Sequence, residues 1–122
     1  MQLTRDNAAA NFIRAWERGR VRVADRWIEG HVIIAPDRII ERWHVESPAL
    51  LGTEHLEPAL ALQPEIILLG TGDTQHLPNV DLMAALADRA IGLEIMTTPA
   101  ACRTFNVLAS EQRRVVAALF NF

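Results

Sequence analysis

The chain has 122 residues, is 50% hydrophobic and carries a formal net charge of −3. This length and apolar fraction predict one folded domain and exclude an intrinsically disordered protein. All twelve basic residues are arginines, which excludes a P-loop and Schiff-base catalysis, because both require a lysine. The acidic balance predicts no nucleic-acid partner, since phosphate binding needs a basic surface.

Cysteine content and the N-terminal residues predict an intracellular protein. The single cysteine, Cys102, cannot form an internal disulfide, which is typical of a reducing compartment. Residues 1–11 lack the apolar segment of a secretory signal and are expected to form a flexible tail. The longest apolar run, Val115 to Phe120, is far shorter than the roughly 18 residues of a membrane span, so no transmembrane segment is predicted.

The first half of the chain predicts an antiparallel β meander. An extended segment around Ile13 ends near Gly19, and Val21 and Val23 then alternate with arginines as in a half-buried strand. Connections this short cannot support parallel crossovers. One further predicted strand ends at Gly30, and another covers His31 to Ala35 before the turn Pro36-Asp37. A last one includes Ile39, Ile40 and Trp43.

Helices alternate with strands in the second half. Thr53 is the expected cap of a helix that reaches Leu62, although Pro58 favours a later start because proline disrupts a helix interior. A strand from Glu65 to Leu69 ends at a glycine-rich bend. A second helix is predicted from Asn79, its N-cap, to Ala90. Its predicted buried face consists of Val80, Met83, Ala84 and Ala87.

The last third predicts parallel βαβ units. Leu93 to Met96 forms a strand, and Thr97 or Thr98 caps a helix that has Pro99 in its first turn and ends near Ser110. Val115 to Phe120 then forms a buried strand. Strands separated by helices require covered sheet faces. The predicted fold class is therefore α/β, with an antiparallel β region joined to βαβ units in a single domain of residues 1–122.

The most site-like segment is Gly70-Thr71-Gly72-Asp73, which follows a predicted strand. Ligands of α/β sheets bind outside the carboxyl ends of strands, and two glycines let backbone N–H groups approach an anion. The spacing does not match the dinucleotide fingerprint, whose third glycine would fall at Gln75. A tight turn that contains two glycines is the favoured interpretation, and an anion-binding loop remains open.

A second candidate cluster comprises Glu94, Thr97, Thr98, Arg103 and Asn106. Arg103 and Asn106 are expected on one side of their helix, and Glu94 is expected to face inward at the same end of the sheet as Asp73. An arginine opposite a carboxylate can orient a carboxylate-bearing ligand or satisfy a buried glutamate. The structural network is the favoured interpretation.

Cysteine and histidine chemistry offers no further site. A Cys102 nucleophile would need a histidine base, and none of the four histidines has an ordered spacing to it. Cys102 is therefore predicted to be a small buried packing residue. Histidine pairs and cysteine pairs with metal-ligand spacing are also missing from the sequence, so neither a metal nor a cofactor is predicted.

Two blocks of the sequence resemble one family. The first is the run Pro64-Glu65-Ile66-Ile67-Leu68-Leu69-Gly70-Thr71-Gly72. The second consists of Gly92, Glu94, Met96, Thr97, Ala100, Ala101, Arg103, Thr104, Phe105, Asn106, Leu108 and Glu111, followed by Arg113, Val115, Ala117 and Leu119. In order and spacing the blocks are similar to the small-domain family that includes the mitochondrial complex I assembly factor 3 and single-domain relatives from bacteria and archaea.

The resemblance implies a three-layer β/β/α domain with a mixed sheet. It also implies that Gly70, Thr71 and Gly72 lie near the turn that carries Thr97 and the helix that bears Arg103 and Asn106. The family implies no catalytic activity. We therefore predict a non-enzymatic, assembly-factor-like protein of the bacterial cytoplasm with an unidentified protein partner. The alternative is a small-molecule (anion)-binding domain, or an enzyme, that uses the Gly70–Asp73 loop with Arg103 and Asn106.

Overall fold

A computed structural model of the chain describes residues 10–122. This part of the chain contains eight strands, three α-helices and one 3₁₀ turn. The strands are β1 (Ile13–Glu17), β2 (Arg20–Val23), β3 (Arg26–Glu29), β4 (Val32–Ala35), β5 (Arg38–Glu41), β6 (Ile66–Gly70), β7 (Gly92–Met96) and β8 (Val115–Leu119). The helices are α1 (Thr53–Leu60), α2 (Val80–Asp88) and α3 (Thr98–Ser110), and the 3₁₀ turn is Pro48–Leu50.

The strands form two sheets, and the predicted meander is divided between them. The first sheet has the order β1-β2-β3 and is antiparallel. The second has the order β5-β4-β8-β6-β7, in which β4 runs antiparallel to β5 and β8 while β6 runs parallel to β7 and β8. The mixed α/β fold is confirmed, but the β4–β5 hairpin belongs to the second sheet.

The meander is divided between the two sheets after β3, where the hydrophobic pattern of the strands changes. In β2, the buried Val21 and Val23 alternate with arginines, so only one face of the strand is apolar. All four residues of β4 are apolar and buried. A strand of this kind needs both of its faces covered, and it therefore lies inside the second sheet, between β5 and β8.

The five-stranded sheet is the middle of three layers. One face packs against α1 and α2 in a core that includes Leu56, Leu82 and Phe120. The other face packs against the three-stranded sheet and α3 in a core that includes Val21 and Phe105. The crossovers β6-α2-β7 and β7-α3-β8 run in opposite directions along the sheet, so right-handed connections place α2 and α3 on opposite faces. The predicted β/β/α layering is confirmed, with α3 beside the smaller sheet.

Helix α1 begins earlier than predicted. Its cap is Gly52 rather than Thr53, and the helix includes Pro58. The Gly52 N–H donates to His55 Nδ1 at 2.9 Å, and the His55 N–H donates to the Gly52 carbonyl at 3.1 Å. Trp43 Nε1 in turn donates to the His55 carbonyl at 2.8 Å. These bonds fix the first turn, although Pro58 removes one backbone donor further along.

Helix α2 buries a different face from the one predicted. Its buried side chains are Leu82 and Leu86, whereas Val80 is 75% exposed and Met83 is 40% exposed. The two leucines stand four residues apart on one face, and they bury more apolar area than the predicted face, which contains two alanines. The expected cap is confirmed, since Asn79 Oδ1 accepts a hydrogen bond from the Leu82 N–H at 3.0 Å.

Helix α3 has the predicted bounds. Thr97 is its N-cap, Pro99 lies in its first turn and it ends at Ser110. Cys102 is buried, and loss of solvation raises the pKa of its thiol to about 12, an effect that the neighbouring Arg103 only partly opposes. The thiol is therefore protonated at neutral pH, and the prediction of a packing residue is confirmed.

The predicted flexible tail over residues 1–11 lies, up to residue 9, outside the described residues. Asn11 is bonded to the turn between β4 and β5. Its N–H donates to the Pro36 carbonyl at 2.7 Å, and its side chain donates to the Ala35 carbonyl at 2.8 Å. The helices among residues 10–122 are too short or too polar to span a lipid bilayer.

Replacement of Gly70 by alanine is expected to destabilise the fold. A Cβ at Gly70 would lie 2.9 Å from Thr98 Cα and 3.0 Å from Leu119 Cδ2, and the backbone of α3 cannot move away cheaply. Gly70→Ala should lower the free energy of unfolding by about 1–3 kcal/mol, measured by urea denaturation. Gly92→Ala is the control, because its nearest contact would be 3.6 Å. Equal losses for the two variants would contradict this account of the packing.

Candidate functional site

The Gly-Thr-Gly bend and the start of α3 lie side by side at the carboxyl ends of β6 and β7. The buried Thr98 Oγ1 accepts a hydrogen bond from the Gly72 N–H at 2.8 Å and donates to the Phe120 carbonyl at 2.7 Å. The Thr98 N–H donates to the Gly72 carbonyl at 2.8 Å. Thr98 therefore ties together the segments that follow β6, β7 and β8.

The backbone donors of the bend are used within the protein. The Thr71 N–H donates to the Met96 carbonyl at 3.0 Å, and the Gly72 N–H donates to Thr98 Oγ1. The Thr71 hydroxyl, which is buried, donates to the Thr74 carbonyl at 2.7 Å and accepts from the His76 N–H at 3.0 Å. An anion at this bend would have to displace these partners, and the geometry favours a structural turn.

Arg103 and Asn106 line a separate cleft of about 230 Å³ between α3 and β1. Asn106 Oδ1 accepts from the Ile13 N–H at 2.9 Å, and Asn106 Nδ2 donates to the Ile13 carbonyl at 2.8 Å. Asn106 thus pairs with β1 as a neighbouring strand would, and it joins the small sheet to α3. Arg103 is exposed at the edge of this cleft.

The structure therefore divides the predicted site residues. Gly70, Thr71 and Gly72 adjoin Thr97 and Thr98, and Asp73 forms an exposed ion pair with Arg18 from the turn after β1. Glu94 is exposed on the edge strand β7 instead of facing inward. Within residues 10–122, neither Glu94 nor Arg103 forms an ion pair.

A large cleft, of about 860 Å³, was not predicted from the sequence. Its polar lining includes His31, Arg42, His44, Glu46, His55 and Asn121. These residues come from four separated parts of the chain, and no regular spacing relates them, so only the fold brings them together. The described residues contain no group of three histidine, cysteine or acidic side chains placed to hold a metal ion.

His31 is held at the wall of this large cleft as a neutral acceptor. Its Nδ1 accepts from the Asn121 N–H at 2.9 Å, and its ring packs against Phe120 and Phe122 at centroid distances of 4.9 and 5.1 Å. Burial lowers the pKa of His31 below its ordinary value, and the nearby His44 lowers it further. Protonation at Nδ1 would break the bond to Asn121.

Stability should fall as the pH is lowered through the titration of His31. The folded protein has the lower pKa, so the unfolded chain binds more protons between that pKa and about 6.5, and the free energy of unfolding decreases across this window. The contribution of neutral His31 to the free energy of unfolding is fully present above about pH 7. Denaturant titrations between pH 5 and 8 measure the slope.

His31→Asn keeps an acceptor for Asn121 but cannot titrate, and it should flatten this slope. His76→Asn, at an exposed histidine outside the large cleft, is the matched control and should leave the slope unchanged. An unchanged slope in His31→Asn would show that another group governs the acid loss. The direction of the shift can be checked independently by NMR titration of the His31 ring.

Comparison with known proteins relates the chain to assembly factors and to bacterial proteins. It is 34% identical over 98 residues to NADH dehydrogenase [ubiquinone] 1 alpha subcomplex assembly factor 3 of Danio rerio, a match that covers 75% of this chain and 56% of the zebrafish protein. It is 29% identical over 105 residues to the 13 kDa major membrane protein of Francisella tularensis, and this match covers 85% of each chain.

A solved structure shows the same fold. The NMR structure of a Xanthomonas campestris protein superposes with a TM-score of 0.83 at 43% identity, over 91% of this chain and 84% of that one. The family model described as "Protein of unknown function (DUF498/DUF598)" matches residues 13–120. These findings confirm the resemblance seen in the sequence, and the chain belongs to the DUF498/DUF598 family, which also accounts for its similarity to complex I assembly factor 3.

Proposed function

We propose that this protein is an assembly-factor-like module that binds a protein partner through α2. The observation that carries the proposal is an exposed apolar face, here called the α2 stripe. Three of its side chains are large: Leu77 is 67% exposed, Val80 is 75% exposed and Met83 is 40% exposed. The stripe consists of Leu77, Val80, Met83, Ala84 and Ala87.

The spacing of the α2 stripe distinguishes it from scattered exposed residues. Positions 80, 83, 84 and 87 follow one face of a helix, and Leu77, in the loop before the helix, is a further exposed apolar side chain. Leu82 and Leu86 already bury the opposite side of α2, and the rest of residues 10–122 leaves the stripe exposed. A continuous apolar face on a surface helix is typical of a protein-binding surface.

The similarity to an assembly factor supports the same function. The zebrafish relative carries that role in its name, and this chain covers 56% of its length. Of that role, we propose for this chain only the general part, which is binding to a protein that is being assembled. Asp81 and Asp88 border the stripe, so the partner surface we expect is apolar with a basic rim. The bacterial cytoplasm remains the predicted location.

The geometry gives less support to the alternative of an anion-binding domain. The N–H groups of Thr71 and Gly72 are bonded to Met96 and Thr98, and Arg103 and Asn106 line a different cleft. Thermal-shift measurements with phosphate, nucleotides and organic acids test this alternative. Stabilisation that Arg103→Ala abolishes would revive it.

Charge on the α2 stripe should abolish partner binding without loss of stability. Val80→Glu places an acidic residue in the first turn of α2, where the helix dipole favours it, so unfolding should change by less than about 0.5 kcal/mol. A photo-crosslinker at residue 83 in host cells should capture a specific protein, and Val80→Glu should reduce that capture at least tenfold.

Val107→Glu is the matched control, because Val107 is a 55% exposed apolar residue on α3, outside the stripe. It should leave capture unchanged. If Val80→Glu and Val107→Glu capture the partner equally well, the α2 stripe is not the binding surface. A host strain without the protein then tests the assembly role: wild type and Val107→Glu, but not Val80→Glu, should restore the assembled complex that contains the captured partner on native gels.

A further inference from the structure

The cleft of about 230 Å³ between α3 and β1 runs along the outer edge of the three-stranded sheet. β1 is an edge strand, because its one partner in that sheet is β2. Asn106 of α3 occupies this edge at Ile13, where it bonds to both the N–H and the carbonyl. Beyond that point the cleft is lined by Trp16 of β1 and Pro99 of α3. The cleft therefore lies where a further strand of the sheet would be placed.

The register of the sheet decides which backbone groups of β1 point toward this cleft. Glu17 and Arg20 flank a two-residue turn, so their N–H and carbonyl groups bond to each other. Backbone groups alternate in direction along an antiparallel strand, and those of the preceding residue, Trp16, therefore point away from β2. Ile13, beyond a bulge in β1, also points outward, and its bonds to Asn106 show that α3 lies on that side.

The backbone of Trp16 is thus available at the edge of the sheet. Its N–H and carbonyl form no backbone bond to another element in the described part of the chain. Free groups of this kind on an edge strand are a template for a further extended chain. In an antiparallel pairing, one residue of that chain would accept from the Trp16 N–H and donate to the Trp16 carbonyl. Such a residue cannot be proline, which has no N–H.

The charges at the cleft favour an acidic occupant. Arg14 of β1 and Arg103 of α3 both line it and are exposed, and neither forms an ion pair among residues 10–122. None of the described residues that line the cleft is acidic. Glu17, the acidic residue of β1, is already bonded to Arg20 at 3.0 Å. A carboxylate on the bound chain would meet guanidinium groups that no lining carboxylate neutralises.

We propose that the cleft between α3 and β1 binds an extended acidic segment of a partner protein, which pairs with Trp16 as an added strand. Arg14 and Arg103 bind its carboxylates, and Pro99 and Cys102 belong to the wall on the α3 side. This surface is separate from the α2 stripe, since α2 and α3 cover opposite faces of the five-stranded sheet. The proposal therefore does not depend on the stripe.

Selection of short random peptides, displayed on phage, against the wild-type protein tests the charge requirement. We expect enriched peptides to be acidic and to bind Arg103→Glu about tenfold more weakly than wild type. Arg38→Glu is the matched control, because Arg38 is also exposed and outside any ion pair of residues 10–122, but lies in β5. It should bind the peptides like wild type. The proposal is overturned if no peptide is enriched, or if Arg103→Glu weakens the binding of none of them.

Amide hydrogen exchange, measured by NMR on the full chain, tests the strand pairing. In the free protein, the Trp16 amide should exchange faster than the Ile13 amide, which bonds to Asn106 at 2.9 Å. A saturating enriched peptide should slow exchange of the Trp16 amide about tenfold or more. A peptide that leaves this amide unprotected overturns the proposal. So does a Trp16 amide that is already protected in the free protein, because residues 1–9 or a second copy would then fill the cleft.

Discussion

The buried hydroxyl of Thr98 is the interaction on which this end of the molecule depends. It accepts from Gly72 and donates to Phe120, so one side chain joins the segments after three neighbouring strands. Gly70 makes this approach possible because it has no Cβ to meet the backbone of Thr98. In open α/β sheets, the crevice outside the carboxyl ends of the strands is where ligands commonly bind. Here the protein's own threonine and glycines fill it.

Because that crevice is filled, the features that could serve function lie elsewhere. The α2 stripe faces outward from one layer, and the large histidine-lined cleft opens beside β4. A bend that resembles a ligand loop in sequence thus has a packing role in the structure, and α2 carries the surface that we propose for partner binding.

Helix α2 shows how far periodicity can carry a prediction. Its apolar residues occur on two faces, and both faces satisfy the spacing of an amphipathic helix. The pattern predicted the helix and its Asn79 cap, but the choice of the buried face depended on which side chains meet β7 and α1. The larger Leu82 and Leu86 were buried, and the predicted face became the exposed one. A similar limit applied to β4, whose apolar run predicted a strand but did not name the sheet.

Local chemistry in the sequence determined the strands, the Asn79 cap, a threonine cap at Thr97 or Thr98 and the α/β class, because these depend on neighbours within about one helical turn or one strand. The tertiary structure alone decided the rest. The residues of the histidine-lined cleft come from distant parts of the chain, and Asn106 binds Ile13 across 93 positions. Such contacts arise when sheets and helices pack, and no short-range pattern records them. For the same reason, the Gly70–Asp73 loop became a structural turn only once Thr98 was folded against it.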